Sequence, residues 1–354
     1  MFSDAFLEPY RSRSDERADA ALVEVPGARP GGLLRAVEER AAAGRSACRE
    51  LLAHARTVPT WVDFGKMAPG HGRAMEHSIS AGLTLLAASL VESFASANAA
   101  KVLVRSGRLH AAPERRLFET ARFVFDIALS RGAPPESDAH RNVLEVRLLH
   151  AFIRAQLLGR GPWDTRWGHP INQEDYASTL LMFSHVFVRG LERLGVHFTE
   201  KERAGVHHTW RWVGHVMGVD DALLSRDVDE ERELYAAMTR RQFVPDDDSR
   251  ALAHGLLDAM AGKPPFYLSA EALHTLSRRL VGDGLGDALH LRHSPTWERG
   301  LGGMARIAAL HDRVERRVPL GRTVARGVGR VVTERIIRQG LSGSSQSWAR
   351  SKRG

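Results

Sequence analysis

The chain has 354 residues, of which 43% are apolar and 26% are charged, and its formal net charge is +8. This balance is that of one large globular domain or two ordinary ones, and it excludes an intrinsically disordered chain. Cys48 is the single cysteine, which excludes an intramolecular disulfide and a cysteine-rich zinc site and indicates a reducing compartment.

Helical periodicity dominates the chain, and alternating β-branched runs bounded by turn residues are scarce. The sequence therefore predicts an all-α fold with a basic C-terminal tail. Thr199 and Glu202 have the spacing of a capping box, and Asn172 or Gln173 opens the preceding helix. The predicted helices cover residues 31–56, 73–99, 113–130, 138–158, 173–194, 199–217, 228–240, 247–261, 269–282 and 297–315.

Linkers rich in proline and glycine interrupt these helices but are too short to separate domains. We divide the chain into an N-terminal helical extension (1–59), a central domain (60–300) and a C-terminal helix with the basic tail (301–354). The last dozen residues are predicted to be disordered because they are polar and terminal.

Neither a signal peptide nor a membrane-spanning helix is predicted. The first 20 residues carry acidic side chains and no apolar core. The longest apolar run, residues 78–91, ends at Glu92 and is shorter than the ~20 residues that a spanning helix needs. We therefore expect a soluble, cytoplasmic protein.

The positive charge is concentrated in the tail. Residues 316–354 contain ten lysines or arginines and one acid, so the rest of the chain has a net charge of −1. Arg322, Arg326 and Arg330 recur every fourth residue, which predicts an amphipathic helix on an anionic membrane or an acidic partner. A solvated helix explains the pattern equally well. No aromatic residues alternate with these arginines, so nucleic acid is not favoured as a partner.

One predicted helix carries two arginines on an apolar surface. In the segment VRLLHAFIR, Arg147, His150 and Arg154 lie on one helical face, and apolar residues cover most of the remaining circumference. A buried arginine needs an anionic partner. Acids on other helices, such as Glu119 or Asp175, are candidates, and Arg141 can reach Glu145 one turn away.

Histidines mark two further helices. His208, Trp212 and His215 share one face, where two neutral imidazoles can flank a flat cofactor or each form a single hydrogen bond inside the core. His207 and Arg211 face the opposite way and are predicted to be exposed. The lone His185 on a very apolar helix is either a core residue or a ligand in a haem pocket.

A di-iron site is a weaker alternative. Glu271 with His274, and Asp287 with His290, have the Glu-x-x-His type of spacing. Ferritin-like sites need two such helices and a carboxylate from each of two others. Here the two motifs are close in sequence across a glycine-rich break, which disfavours this interpretation.

Several ordered blocks resemble one family. They are KVLVRSGRLHAAPERRLFETARFVF, VRLLHAFIR, GPWDTRWGHPINQEDYASTLLMFSHVFVRGLERLGV and HHTWRWVGHVMGV. Together they are similar to the catalytic domain shared by the latex-clearing rubber oxygenases and the mycophenolic-acid-pathway oxygenases, over about residues 60–300. The resemblance implies a helical domain that encloses an apolar cavity with haem b, and an oxygenase that uses O₂ on large isoprenoid-like substrates.

The resemblance also implies roles for the candidate residues. The family motifs match this chain at His150, Arg154, Gln173, Thr179, His208, Trp210 and His215. The catalytic candidates are His150, Glu119 and Thr179, where Glu119 is either a general base or a partner of the arginines. The cofactor-binding candidates are Arg147, Arg154, His208, His215 and Trp212, with both arginines anchoring haem propionates.

The chain departs from the family at the iron ligand. In the rubber oxygenases the iron-binding histidine follows the equivalent of Thr179 by two residues, and this position is Leu181 here. His185, one turn further along the same face, is the candidate axial ligand. The polar residues that the family places over the haem are replaced here by Asn142, Glu145 and Val146.

Two functions of different classes are therefore open. The first is a haem-b-dependent oxygenase acting on an apolar substrate, which the basic tail would bring to an anionic membrane surface. The second is a catalytically silent relative that binds a lipid or a pathway intermediate without haem. Leu181 at the expected ligand position favours the second.

Overall fold

The computed structural model describes residues 2–106, 113–316 and 319–342, and its regular structure is helical. No β-strand occurs in these residues, where Ser96 and Phe243 form an isolated antiparallel bridge, so the all-α prediction is confirmed. Residues 343–354, predicted to be disordered, lie outside the described residues. The α-helices are α1 (Asp4–Leu7), α2 (Glu16–Val23), α3 (Leu33–Ala42), α4 (Ser46–Arg56), α5 (Ala68–Glu76), α6 (Ser78–Thr84), α7 (Leu90–Ser93), α8 (Ala97–Ser106), α9 (Pro113–Leu129), α10 (Asp138–Gly159), α11 (Gln173–Phe183), α12 (His185–Arg193), α13 (Glu200–Val216), α14 (Val228–Gln242), α15 (Asp247–Met260), α16 (Ala270–Val281), α17 (Asp283–Ala288), α18 (Pro295–Glu315) and α19 (Pro319–Ser342).

Three of the predicted long helices are broken. The predicted helix 31–56 is two helices, α3 and α4, because Gly44 adopts a positive φ of 90° between them. The predicted helix 173–194 is divided at Ser184, whose backbone leaves the helical region between α11 and α12. The predicted helix 73–99 becomes a series of short helices joined by a π-helical segment, Leu85–Ser89.

Helices α1 and α2, which lie in the predicted N-terminal helical extension but were not predicted individually, are part of the core. Leu7 and Ala18 are fully buried, and α2 packs against α4 and α10. The side chain of Asp15 accepts a hydrogen bond from the backbone N–H of Ala18 and so caps α2. The start of α2 at this cap brings the carboxylates of Asp15 and Asp19 beside α10.

The basic helix α19 lies across α5, α6 and α9. Arg322 forms ion pairs with Glu76 at 3.0 Å and Glu202 at 2.8 Å, and Arg326 pairs with Glu76 at 2.7 Å. Two of the three arginines that the sequence analysis assigned to an anionic surface therefore meet buried carboxylates of the same chain. Arg330 is exposed.

By length and composition, no single helix among the described residues could cross a membrane. The segments Phe64–Glu76 and Ser78–Ser93 satisfy those criteria only as a pair, and the pair is bent by 93°.

Candidate functional site

Arg147 is fully buried in α10 and its anionic partner is Asp15. Its Nε and Nη2 donate to the two Asp15 carboxylate oxygens at 2.6 and 2.7 Å, and its Nη1 donates to the carbonyl of Val216 at 2.9 Å. The guanidinium also lies against Gly218, where an added Cβ would overlap it. A bidentate carboxylate pair with a further hydrogen bond satisfies this buried cation without any ligand.

The guanidinium of Arg154, two helical turns further along α10, has its charge balanced in the same way. Its Nε and Nη2 donate to the Asp19 carboxylate at distances from 2.7 to 3.1 Å, and its Nη1 donates to the carbonyl of Ile171 at 2.8 Å. The arginine stripe therefore does have the carboxylate partners that its burial requires. These partners come from the α2 segment rather than from the helices named in the sequence analysis.

The acids suggested from sequence have other partners. Glu119 pairs with Arg115 at 2.8 Å on α9, and both side chains are partly exposed. Asp175 completes the capping box of α11 with Asn172. The expected pairing of Arg141 with Glu145 does not form. Arg141 donates to Glu38, and Glu145 accepts hydrogen bonds from two backbone N–H groups of the α3 segment.

A stack of histidine and tryptophan rings extends from Arg147. His54 stacks on His215 with ring centroids 4.6 Å apart, and Trp212 stacks on His215 with ring centroids 5.7 Å apart. The Nη1 atom of Arg147 is 3.2 Å from His54 Nδ1, so that nitrogen is the acceptor. Burial, followed by the charge of Arg147, lowers the pKa of His54 to about 3. Burial also lowers the pKa of His215.

This stack unites three cofactor-binding candidates, Arg147, Trp212 and His215, with a residue that sequence reasoning missed. His54 lies in the segment RSACRELLAHA, whose pattern contains no second chemical group to single it out. Trp212 is fully buried and donates its indole N–H to the carbonyl of Ala133 at 3.0 Å. Protein groups therefore bind both His54 and Trp212 without any ligand.

The remaining histidines of α13 differ from expectation. His208 is half-buried, accepts a hydrogen bond from the Asp63 backbone N–H at 2.9 Å, and lies edge-on to Trp61. His207 was predicted to be exposed, and this was wrong. It is 5% exposed, with its Nε2 3.1 Å from both Ser225 oxygens, because the α13–α14 loop folds over this face. Arg211 is half-buried and lies over the Trp61 ring.

The catalytic and metal candidates lie in separate places. The His150 ring is 5.4 Å from the Tyr176 ring, and the hydroxyl of the exposed Thr179 donates to the backbone carbonyl of Asp175. His185 lies against Tyr235 of α14, with ring centroids 4.5 Å apart. Burial, followed by the charge of Arg189, lowers the pKa of His185 to about 4.

An apolar cavity of about 90 Å³ lies between α5, α6, α9, α13 and α19. Its wall includes the rings of Phe125, Phe183, Phe187 and Trp210 and the imidazole of His71. The lining residues are Gly70, His71, Ala74, Met75, Ser78, Ala81, Gly82, Leu85, Ala121, Val124, Phe125, Ile127, Ala128, Phe183, Phe187, Val206, Trp210 and Thr333. The candidate ligand His185 is not among them.

His71 is the polar ring of this wall, and sequence reasoning missed it. The Thr209 hydroxyl donates its single hydrogen to the Gly205 carbonyl, so it accepts from His71 Nε2–H at 2.9 Å. The buried Nδ1 atom of His71 then keeps a lone pair with no hydrogen-bond partner among the described residues. Burial lowers the pKa of His71 to about 4, so the ring is neutral at pH 7.

Three further side chains lie close enough together to bind one metal ion. Single ligand atoms of His254, Asp258 and His274 lie within 4.8 Å of one another. The guanidinium of Arg292 already binds Asp258, and its Nη2 lies 2.7 Å from His274 Nε2. The nearest acid to His274 is thus Asp258 rather than Glu271, and a protein cation holds the position between the ligands.

Comparison with known proteins identifies the family. The model described as "ER-bound oxygenase mpaB/B'/Rubber oxygenase, catalytic domain" matches residues 73–310. The chain belongs to this oxygenase family. It is 24% identical over 287 residues to the rubber oxygenase of Streptomyces sp. (strain K30), an alignment that covers 80% of this chain. The chain spans 65% of the length of that relative.

A solved structure of this family shares the fold. The structure of latex clearing protein LCP in the closed state superposes with a TM-score of 0.70 at 21% sequence identity. The match covers 95% of this chain and 92% of that one. The helices described above therefore form the fold of this oxygenase family, as the sequence motifs implied.

The residues present do not fit haem b in the described arrangement. Both arginines proposed for the propionates are bound to Asp15 and Asp19. The cavity of about 90 Å³ is well below the roughly 300 Å³ at which small-molecule pockets begin. Leu181, which the sequence resemblance aligns with an iron-binding histidine, is 3% exposed and contributes a hydrocarbon side chain to the core.

Proposed function

We propose that this chain is an oxygenase that takes an apolar, isoprenoid- or lipid-like molecule and O₂ as substrates. The apolar molecule would bind in the cavity between α5, α9 and α13. Membership of the oxygenase family supports the reaction class. The observation that carries the site is an apolar wall containing one neutral imidazole, that of His71.

The cavity wall suits such a molecule for two reasons. Phe183, Phe187 and Trp210 present ring surfaces, and transfer of apolar area from water is favourable by about 25 cal/mol per Å². The Nδ1 atom of His71 can accept a hydrogen bond or hold a proton beside the bound molecule. A substrate larger than a few carbon atoms requires these side chains to move apart.

The second candidate is a catalytically silent relative that binds an apolar ligand without haem. Leu181 at the position of the iron ligand and the carboxylates that occupy Arg147 and Arg154 favour it. Both candidates share the cavity and differ in whether a redox cofactor is present.

The visible absorption spectrum of the protein purified after haem-supplemented expression separates the two candidates. A Soret band, with near-stoichiometric haem in a pyridine haemochrome assay, would support the oxygenase and require α2 or the cavity wall to rearrange. Loss of the band in His71→Ala but not in His185→Ala would assign the ligand. Absence of both haem and iron would leave the silent binder.

Filling the cavity tests the binding site itself. Ala128 lines the cavity on α9, whereas Ala236 is exposed on α14. We expect Ala128→Phe to weaken binding of the isoprenoid alcohol farnesol at least about tenfold, equivalent to ~1.4 kcal/mol, because the new ring occupies the site. Ala236→Phe is the matched control. Equal farnesol affinity in both variants would place the ligand elsewhere.

A further inference from the structure

Helix α18 exposes a row of large apolar side chains. Met304, Ile307, Leu310 and Val314 are 57–71% exposed. At 100° per residue they fall within one sector of about 120° on the helix. A contiguous apolar face in water is unfavourable and marks an interaction surface.

A row of arginines runs beside this apolar face. Arg299, Arg306 and Arg313 are spaced seven residues apart, so they lie along one side of α18. All three are exposed, and none has an ion-pair partner in the described part of the chain. The helix therefore presents uncompensated positive charge alongside bare hydrocarbon.

A pocket of about 540 Å³ opens between α18, the end of α12 and α16. Arg193, Arg299 and Arg306 line it, and none of them is paired with a carboxylate in the described residues. The two glutamates of the wall are already engaged, since Glu298 binds Arg279 and Glu192 binds Arg203. The pocket therefore has a net positive charge.

The floor of this pocket is built from small residues. Gly302, Gly303, Ala305 and Ala309 of α18 line it, and Ala305 and Ala309 lie against Gly195, whose φ is 92° and where an added Cβ would overlap the Ala305 carbonyl. Small side chains at these positions leave room in the pocket beside the lining arginines. Guanidinium groups bind phosphate oxygens through paired hydrogen bonds.

We propose that α18 is a membrane-binding helix for anionic phospholipid bilayers. The apolar row enters the boundary between headgroups and acyl chains, and the pocket binds a lipid headgroup phosphate through Arg193, Arg299 and Arg306. Interfacial helices combine an apolar face with a basic flank in this way. A nucleic acid would match the arginines but leave the apolar row in water. This inference does not depend on the proposed oxygenase function.

The surface differs from the one that sequence analysis assigned to a membrane. Arg322 and Arg326 of α19 pair with Glu76, and Arg322 also pairs with Glu202, so both charges are compensated within the chain. The arginines without ion-pair partners in the described residues, Arg299, Arg306 and Arg313, belong to α18, which carries fewer basic residues in excess of acidic ones than α19. A membrane contact by α18 would place the molecule at the phase in which an apolar substrate dissolves.

Co-sedimentation of the full chain with phosphatidylcholine vesicles, with and without phosphatidylglycerol, tests this surface. We expect binding only to the phosphatidylglycerol vesicles, and Arg299→Gln/Arg306→Gln should weaken it roughly tenfold to thirtyfold, because each basic residue near an anionic surface contributes ~1 kcal/mol. Ile307→Gln/Leu310→Gln should weaken it at least tenfold by removing the apolar contact. Far-UV circular dichroism checks that these surface variants fold.

The matched control is Arg330→Gln/Arg335→Gln, which removes the same charge from exposed positions of α19. An equal loss of binding in this control would show unspecific attraction and overturn the proposal. Binding of inorganic phosphate in the pocket without vesicle binding would reassign the site to a free anion. Vesicle binding absent together with a dimer that Leu310→Gln dissociates would assign the apolar row to a second copy of the chain.

Discussion

Arg147 illustrates how one carboxylate makes a buried cation tolerable. Its guanidinium is completely enclosed, and both Asp15 oxygens bind it at 2.6 and 2.7 Å. Burial of an ion is costly, and removing one partner of a buried pair leaves the other charge without compensation. The contact between the α2 segment and α10 therefore depends on this pair as well as on the pair of Arg154 with Asp19.

We expect Asp15→Asn to lower the free energy of unfolding by about 3–5 kcal/mol, because the amide cannot balance the buried charge of Arg147. Urea denaturation measures the change. Asp164→Asn is the control, since Asp164 pairs with Arg166, whose side chain is 86% exposed. That loss should be within about 1 kcal/mol. Similar effects for the two variants would contradict the importance of the buried pair.

The need for these carboxylates could be predicted from sequence, but their identity could not. An apolar helix with two arginines on one face demands anions, and the structure supplies them. Asp15 lies 132 residues before Arg147, and no periodic signal connects the two positions. The burial of His207 was missed because no periodic signal predicts that the loop after α13 folds back over this face of the helix.

At the scale of secondary-structure elements, the sequence predicted helix caps correctly but did not predict where long helices are broken. The capping box of Thr199 and Glu202 forms as predicted, since its two hydrogen bonds are within one turn. The division at Ser184 has no glycine or proline to announce it, and it lies where the backbone of Ser184 leaves the helical region. The sequence analysis assigned the candidate residues to one cofactor site, whereas in the structure they lie in separate places on several helices.

The packing of α19 on α5 depends on Gly329, and Gly327 in the same helix provides a matched comparison. An added Cβ at Gly329 would overlap the carbonyl oxygen of Met75, whereas Gly327 has open space around it. We expect Gly329→Ala to destabilise the protein by about 1–3 kcal/mol through overpacking. Gly327→Ala should instead stabilise it by roughly 0.5–1 kcal/mol through helix propensity.

Thermal unfolding of both variants measures these opposite shifts. Because the two substitutions add the same atoms to the same helix, differences in composition do not affect the comparison. A stabilising Gly329→Ala would mean that α19 does not pack closely on α5 in solution. It would also release Thr333 from the cavity wall and widen the candidate site.

For the whole molecule, the buried imidazoles couple folding to pH. Burial is the main cause that lowers the pKa of His71, His77, His185, His207 and His274 to about 4, and of His54 to about 3, from the ordinary value of 6.5. A lowered pKa in the folded state means that the unfolded chain binds protons first as the pH falls. The stability associated with these neutral rings is fully present above pH 6.5 and is lost between about pH 6.5 and 4.

We therefore expect the free energy of unfolding to fall as the pH drops below 6.5, because these six histidines outweigh the opposing carboxyls of Asp175 and Glu231, whose pKa burial raises to about 7. The slope against pH, measured by urea denaturation at pH 5, reports the number of protons taken up on unfolding. His185→Phe should reduce that uptake by about one proton, because it removes one neutral buried imidazole. His293→Phe, at an exposed position, is the matched control. An uptake that is the same in the wild type and in His185→Phe would show that this ring already titrates at its ordinary pKa in the folded protein.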